Sequence, residues 1–259
     1  MQKTVSIVKI GGALLEEEAL LEAVCQGFSA MGGAKILVHG GGQQASRVSQ
    51  ALGITPKMVD GRRITDADSL KVVVMVYGGL ANKTLVARLQ ALGCNALGLS
   101  GADAGLIRAR KRPPGNLDYG FVGDVEHVAA DTLTTLLDAG LVPVFSALTH
   151  DGRGQLLNTN ADTVAAEIAV ALGRERRARL YYCFDKPGVL RQVTDPESTI
   201  PLLDQRLFRE LLERGEIAAG MIPKLTNAFH ALERGVSEVY IGPPTLLEGV
   251  SGPFTKISL

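Results

Sequence analysis

The chain places glycines where its apolar runs stop looking like strands, and that limits the folds open to it. Residues 4–10 (TVSIVKI) are short and β-branched and run into Gly11 and Gly12. The stretch that follows, 15–31 (LEEEALLEAVCQGFSAM), puts acidic residues first and spaces its apolar residues as a helix does. A second strand-like run, 35–39, stops at Gly40, Gly41 and Gly42 and passes into a helical pattern over 43–52. A strand, a glycine turn and a helix in repeated order predict parallel strands joined by helical crossovers.

The alternation continues. A long helical stretch from about 66 to 92 precedes a strand at 95–99, and 130–139 reads as a helix before a strand at 142–148 (VPVFSAL). Residues 106–128 read instead as extended segments around a Pro-Pro-Gly turn, a hairpin laid beside the sheet. Further on come a helix at 161–172, a buried strand at 177–184, helices near 204–215 and 221–234, a strand at 238–242 and a last strand at 255–259. The expected fold is α/β: a three-layer αβα sandwich with a central, mostly parallel sheet, its helices covering both faces. It reads as one domain over 1–259, with an N-terminal lobe of about 1–173 and a C-terminal lobe of about 174–259 meeting at the polar stretch GRERRAR (173–179).

Composition narrows the function classes. At 259 residues and 46% hydrophobic the chain can bury a substantial core. Twenty-seven basic residues balance 27 acidic ones, which argues against a general nucleic-acid or anionic-lipid face, and Arg108 to Arg112 read as a solvated loop. Cys25, Cys94 and Cys183 are few, scattered and odd in number, so free thiols in a reducing compartment are expected. The four histidines show no ligand spacing and no protein metal site is expected. No apolar run reaches transmembrane length and the N-terminus lacks the order of a signal peptide, so the expected location is the cytoplasm, with no membrane partner.

The glycines fit more than one device. Gly40, Gly42 and Ala45 satisfy the G-x-G-x-x-G/A pattern of dinucleotide-binding folds, with Asp60 about where a ribose-binding acid sits. A dehydrogenase does not need the second pair, Gly11 and Gly12. Two glycine turns at neighbouring strand ends, each backed by a helix N-terminus, offer backbone N–H donors to both sides of a polyphosphate. Lys9 then becomes a positive charge beside a phosphoryl group in transfer, whereas the structural reading has it simply end a strand. Asn158, Asn160 and Asp162 alternate just before a helix and Lys224 lies near the start of another; singly, Asn160 or Asp162 reads as a cap and Lys224 as a solvated residue. Other devices fail. GGLANKT (78–84) has Asn82 and Tyr77 where a phosphate loop needs glycine, and GLSGA (98–102) ends in Ala102 with no acid or histidine placed to support Ser100.

Seven segments in order, VKIGGALL (8–15), LVHGGG (37–42), GRRIT (61–65), LANKTLVARL (80–89), LLNTNADTVA (156–165), FDKPGVL (184–190) and GMIPKL (220–225), resemble the amino acid kinase family over nearly the whole chain. NTNAD with GMIPK points to its members that phosphorylate N-acylated glutamate, over aspartokinases, carbamate kinases and uridylate kinases. The resemblance implies transfer of the ATP γ-phosphate to the side-chain carboxylate of N-acetyl-L-glutamate in arginine biosynthesis, with Mg2+ carried on the nucleotide. N-succinyl-L-glutamate and N-acetyl-aminoadipate are the alternative acceptors. By matching motif, Lys9 and Lys224 would stabilise the transition state and Asp162 would hold both lysines. Gly41 and Gly42 would meet the phosphoryl group and the acceptor, with Arg63, Asn158 and Asn160 binding the acceptor. Gly11 and Gly12 would meet the nucleotide phosphates, and Asp185, Lys186, Gly188, Val189, Leu190, Glu216 and Met221 would line the nucleotide pocket. The lobe of about 1–173 would bind the acyl amino acid and the other lobe the nucleotide.

Two departures from the family pattern stand out: Lys186 replaces a usual valine, and SGPFTKISL (251–259) replaces a usual glycine-threonine ending. Arginine-inhibited members resemble this chain but carry an extra N-terminal helix; with the first strand starting by about residue 4, an arginine-insensitive homodimer is expected. Two readings of other kinds remain. A nucleotide-linked dehydrogenase would leave Lys9, Lys224 and NTNAD without a role, and a non-catalytic sensor of nucleotide or amino acid is opposed by the intact lysine pair.

Overall fold

The computed structural model describes residues 3–59, 62–192, 194–218, 220–249 and 252–259. In chain order, β1 (Thr4–Ile10) leads through one 3-10 turn (Gly12–Leu15) to α1 (Glu18–Ala30), β2 (Ala34–His39), α2 (Gly42–Ala51), β3 (Lys57–Val59) and β4 (Arg62–Ile64). Then come α3 (Ala67–Val73), a π-helical segment (Val74–Ala81), α4 (Asn82–Ala91), β5 (Ala96–Leu99), β6 (Ile107–Lys111) and β7 (Gly123–Val128). These are followed by α5 (Ala130–Asp138), β8 (Val142–Ser146), β9 (Leu148–His150), β10 (Leu156–Asn158) and α6 (Ala161–Gly173). The last elements are β11 (Arg177–Cys183), β12 (Leu202–Leu203), α7 (Gln205–Glu213), α8 (Ile222–Glu233), β13 (Glu238–Gly242) and β14 (Thr255–Ile257).

The chain forms two compact units. One holds the residues up to Lys35 together with Ala165–Leu259, and the other holds Ile36–Val164. In the first, the strands lie in the order β12-β14-β13-β11-β1, parallel except for the β13–β14 pair. β1 reads as an almost unbroken apolar run because Val5, Ile7, Val8 and Ile10 are all fully buried, as parallel strands covered on both faces require. Its register against β11 sets Lys9 beside Tyr182 and Ile10 beside Cys183.

In the second unit β2, β8 and β5 are parallel neighbours in that order. A separate four-stranded sheet, β10-β9-β6-β7, contains the expected hairpin, and β3 pairs with β4 in a hairpin of its own. Ala45, Val72, Val73, Val76, Tyr77, Ala147 and Leu148 form a buried cluster that joins α2 to the helical run after β4. Burying a Val or Leu side chain contributes about 1.5–3 kcal/mol relative to exposure, so such a cluster holds the run in place.

The α/β class and the mostly parallel sheet expected from the sequence are what the chain adopts. Local differences have physical causes. The 66–92 stretch is helical throughout but widens into π geometry over Val74–Ala81, a form of helix found mostly where function bends it. The 142–148 strand breaks at Ala147, so β8 joins the parallel strands while β9 pairs antiparallel with β10. The segment expected as a solvated loop at Arg108–Arg112 is largely β6, and Arg112 ends it paired with Asp124 at 2.6 Å. Contrary to the expectation that no stretch reaches membrane-spanning length, Ala67–Ala91 is long and apolar enough by length and composition, its charged residues Asp68, Lys71, Lys83 and Arg88 being spread too thinly to exclude it. Its Val72, Val73, Val76 and Tyr77 pack in the core cluster and its buried Asn82 is hydrogen-bonded to protein, as in a core helix.

Candidate functional site

Within the unit of residues 36–164, the glycine turn after β2 is shaped by contacts. Gly41 has φ 148° and ψ 24°, a backbone conformation closed to residues with a Cβ, and a Cβ there would stand 2.9 Å from the Tyr77 ring. Tyr77 comes from the π-helical segment, so the widened helix delivers the ring that packs against the turn. Burial raises the Tyr77 phenol above its ordinary pKa, and the neighbouring Arg63 guanidinium opposes that rise. Gly42 opens α2, the helix N-terminus expected behind this turn.

His39 holds the turn from the strand side. The ring is fully buried; Nδ1 lies 2.8 Å from the Gly40 carbonyl and Nε2 lies 3.1 Å from Asn82 Nδ2. A carbonyl only accepts, so Nδ1 carries the proton and Nε2 accepts from Asn82. Asn82 Nδ2 also donates to the Val144 carbonyl at 2.9 Å, and Lys83 Nζ donates to Asn82 Oδ1 at 3.2 Å. Burial above all keeps the imidazole neutral and brings its pKa down to about 4; the Gly40 carbonyl opposes this, and the Lys83 charge adds a smaller lowering. The Asn-Lys pair that fails as a phosphate loop therefore supports the glycine turn.

Arg63 is only 6% exposed. Its Nη2 donates to the Gly42 carbonyl at 2.8 Å and to Ser46 Oγ at 2.7 Å, while Nη1 is buried with no hydrogen-bond partner. An unsatisfied buried donor costs about 1–3 kcal/mol, and an anionic oxygen removes that cost. A guanidinium fork suits a carboxylate in shape as well as charge. Asn158 Nδ2 donates to Thr65 Oγ1 at 3.0 Å, and the fully buried Thr65 hydroxyl reaches the Arg63 carbonyl at 3.3 Å. Thr65 and Asn158 are both tied to the backbone at Phe121, so the Arg63 backbone and the Asn158 side chain are linked through a threonine and a hairpin to which the sequence assigned no role. Asn160 is exposed and caps α6, accepting from the Thr163 N–H at 3.1 Å; Asp162 lies in the first turn of that helix, where the dipole favours a carboxylate.

In the other unit, the Gly11 N–H donates to the Cys183 carbonyl at 2.8 Å, and a Cβ on Gly12 would meet nothing within 4 Å. This turn opens a single 3-10 turn rather than an α-helix, because α1 starts only at Glu18. Lys224 stands in the first turn of α8, 8% exposed, with Nζ 5.0 Å from the centre of the Tyr182 ring. Burial pushes the Cys183 thiol up to about 12, opposed by Lys9 and Lys224, so both lysines act on one sulfur.

The loop 185–190 is pinned from the C-terminus. Thr255 Oγ1 accepts from the Val189 N–H at 2.8 Å and donates to the Ile200 carbonyl at 2.7 Å, and a Cβ on Gly188 would stand 2.6 Å from it. Thr255 belongs to the ending noted as a departure, and it is fully buried. Asp185 and Lys186 are exposed neighbours, 3.9 Å apart at the nearest charged atoms; Leu190 bridges Thr199, Glu216 is exposed, and the Met221 N–H donates to the Ala218 carbonyl at 2.8 Å at the start of α8. Asp60, the acid of the dehydrogenase reading, lies outside the described residues, as does Gly61 of GRRIT. Ser100 does have an acid, contrary to expectation: Asp103 accepts from its hydroxyl at 2.7 Å and its N–H at 2.6 Å, which closes a local turn. None of the three cysteines forms a disulfide, as expected, and all three are buried.

Parallel strands ending in glycine turns, a buried guanidinium with an unused donor, one lysine near a strand end and another in the first turn of a helix define an α/β protein suited to anionic substrates. The chain belongs to the amino acid kinase family, whose model matches residues 4–243. It is 52% identical over 256 residues to an acetylglutamate kinase of Phocaeicola vulgatus, covering 99% of this chain and 100% of that one. It is 54% identical to an acetylglutamate kinase of Bacteroides fragilis over 93% of this chain and 92% of that one, and 44% identical to one of Methanopyrus kandleri over 94% and 96%. Among solved structures, an N-acetylglutamate synthase of Neisseria gonorrhoeae superposes with a TM-score of 0.81 at 23% identity, covering 99% of this chain and 59% of that one. An isopentenyl phosphate kinase of T. acidophilum gives 0.64 at 16% identity over 98% and 100%. These last two likenesses are of fold alone.

Proposed function

We propose that this chain uses ATP to phosphorylate the side-chain carboxylate of N-acetyl-L-glutamate, giving N-acetyl-L-glutamyl 5-phosphate and ADP in arginine biosynthesis. The observation that carries this reading is 52% identity, from end to end, to a protein named acetylglutamate kinase. A carboxylate oxygen attacks the γ-phosphorus, the bond to the β,γ-bridging oxygen breaks, and ADP leaves. The acceptor is already ionised at neutral pH, so the reaction needs no general base. It needs alignment and positive charge.

Arg63 and Asn158 bind the acceptor, a role supported by the unused Arg63 donor and the Thr65 link between them. Gly41 and Gly42 present backbone to the phosphoryl group and the acceptor, and Asn160 contributes to the same pocket. Lys9 and Lys224 stabilise the transition state, and Asp162 supplies the carboxylate assigned to orienting them. Gly11 and Gly12 meet the nucleotide phosphates, whose Mg2+ travels with ATP. Asp185 to Leu190, Glu216 and Met221 accommodate the nucleoside. The enzyme works in the cytoplasm as a homodimer; the large exposed apolar side chains Met75 and Leu80, 54% and 53% exposed, support self-association.

The test is ADP release from MgATP with N-acetyl-L-glutamate, N-succinyl-L-glutamate or no acceptor, trapping the acyl phosphate with hydroxylamine. Trapped hydroxamate with the acetyl substrate is expected, and nucleotide binding without hydroxamate from any acceptor would reject the reading. Sedimentation at micromolar concentration is expected to give twice the 27.4 kDa chain mass.

A further inference from the structure

The tandem tyrosines of β11 face opposite ways. Tyr181 stacks on Tyr240 of the neighbouring strand, with ring centroids 5.3 Å apart and planes at 21°. Tyr182 points to the other face, is fully buried, and is the register partner of Lys9. Register partners on parallel strands send their side chains to the same face, about 5 Å apart, so the Lys9 side chain leaves the sheet next to the Tyr182 ring. Over that ring lies the ammonium of Lys224, 5.0 Å from its centre.

We propose that Tyr182 is a positioning residue for Lys224: its ring face carries the buried ammonium and sets where it stands beside Lys9. Three effects disfavour a charge there. The side chain is more than nine-tenths buried, which removes hydration. Lys224 lies in the first turn of α8, where the dipole is positive. Lys9 brings a second cation to the same face. The negative face of an aromatic ring attracts a cation most strongly when both are desolvated. Beside the carboxylate assigned to Asp162, the ring adds no further formal negative charge that would compete with phosphate oxygens for the ammonium. The inference rests on the reading of Lys224 as a transition-state group.

The experiment compares kcat, KM and Tm for Tyr182→Leu and Tyr182→Phe, each made in the natural chain and in Lys224→Ala. Tyr182→Leu is expected to lower kcat on the order of tenfold, with both KM values changed less than about twofold. Tyr182→Phe keeps the ring face and stays within about twofold of the natural kcat. In the Lys224→Ala background, Tyr182→Leu adds no further loss, because its effect runs through that lysine. Should Tyr182→Leu fail to fold, phenylalanine analogues of rising fluorine content at position 182 keep the shape while weakening the ring quadrupole, and kcat is expected to fall step by step. The proposal is overturned if Tyr182→Leu or the fluorinated rings keep full kcat, if Tyr182→Phe loses as much as Tyr182→Leu, or if the loss persists without Lys224. Lys224→Ala turning over at the natural rate overturns the reading beneath it, whereas an inactive Lys224→Ala beside a fully active Tyr182→Leu overturns this inference alone.

Discussion

Two glycine turns that look alike in the sequence are glycine for different reasons. The turn at 40–42 is crowded: Gly41 takes φ 148°, the Tyr77 ring fills the place of a Cβ, and His39 holds the Gly40 carbonyl. The turn at 11–12 is open: Gly12 meets nothing within 4 Å, and the turn is anchored by a backbone bond to Cys183. The first kind of glycine serves the fold whatever else it does. The second is not required by packing, which leaves room for the proposed approach of a phosphate to this backbone.

Gly41→Ala gives the largest expected effect. Left-handed strain and overpacking against Tyr77 each cost about 1–3 kcal/mol, so denaturant melts should show a loss of about 4 kcal/mol, with turnover falling too. Tyr77→Leu in the same chain should return only the packing part, and a Gly41→Ala chain of natural stability would break the comparison. The pH dependence of the same turn comes next. The His39 imidazole titrates near 4 in the folded chain and near 6.5 when unfolded, so protons favour the unfolded chain between those values. Stability is therefore fully present above pH 6.5 and falls by about 3 kcal/mol as pH drops towards 4. His39→Gln, with nothing to protonate, should flatten that slope in urea melts at pH 5 and 7, and an unchanged slope would remove His39 as its source.

Gly12→Ala sharpens the other side. Its stability should stay within about 0.5 kcal/mol of the natural chain while turnover falls at least about tenfold. Natural turnover would place the phosphates away from this turn. The smallest effect is expected of the thiols: the native protein should react with a thiol reagent only slowly at pH 8, since all three are buried and Cys183 holds its proton up to about 12. Fast modification of Cys183 would mean that the strand end beside Gly11 opens readily.

Much of the architecture was legible because it is periodic. β1, α2, α6 and β13 fall within a residue or two of where spacing and glycine set them, since each pattern is local to its own element. The three-residue strands β3 and β4 are too short to show alternation, and the π-helical stretch has the composition of the α-helix around it. At the candidate site the resemblance assigned Arg63 and Asn158 to one acceptor, but the Thr65 hydroxyl that links the Arg63 backbone to the Asn158 side chain is one threonine among many until the chain folds.

Residue order alone therefore determined the class of fold, the strand ends and the residue types able to meet phosphate and carboxylate, because each follows from periodicity or from a short motif. Tertiary structure decided which glycine is obligatory, which tautomer His39 keeps and which of two adjacent tyrosines lies beneath Lys224. Those outcomes depend on contacts between segments far apart in the chain, and no local pattern encodes a contact whose two halves are set independently.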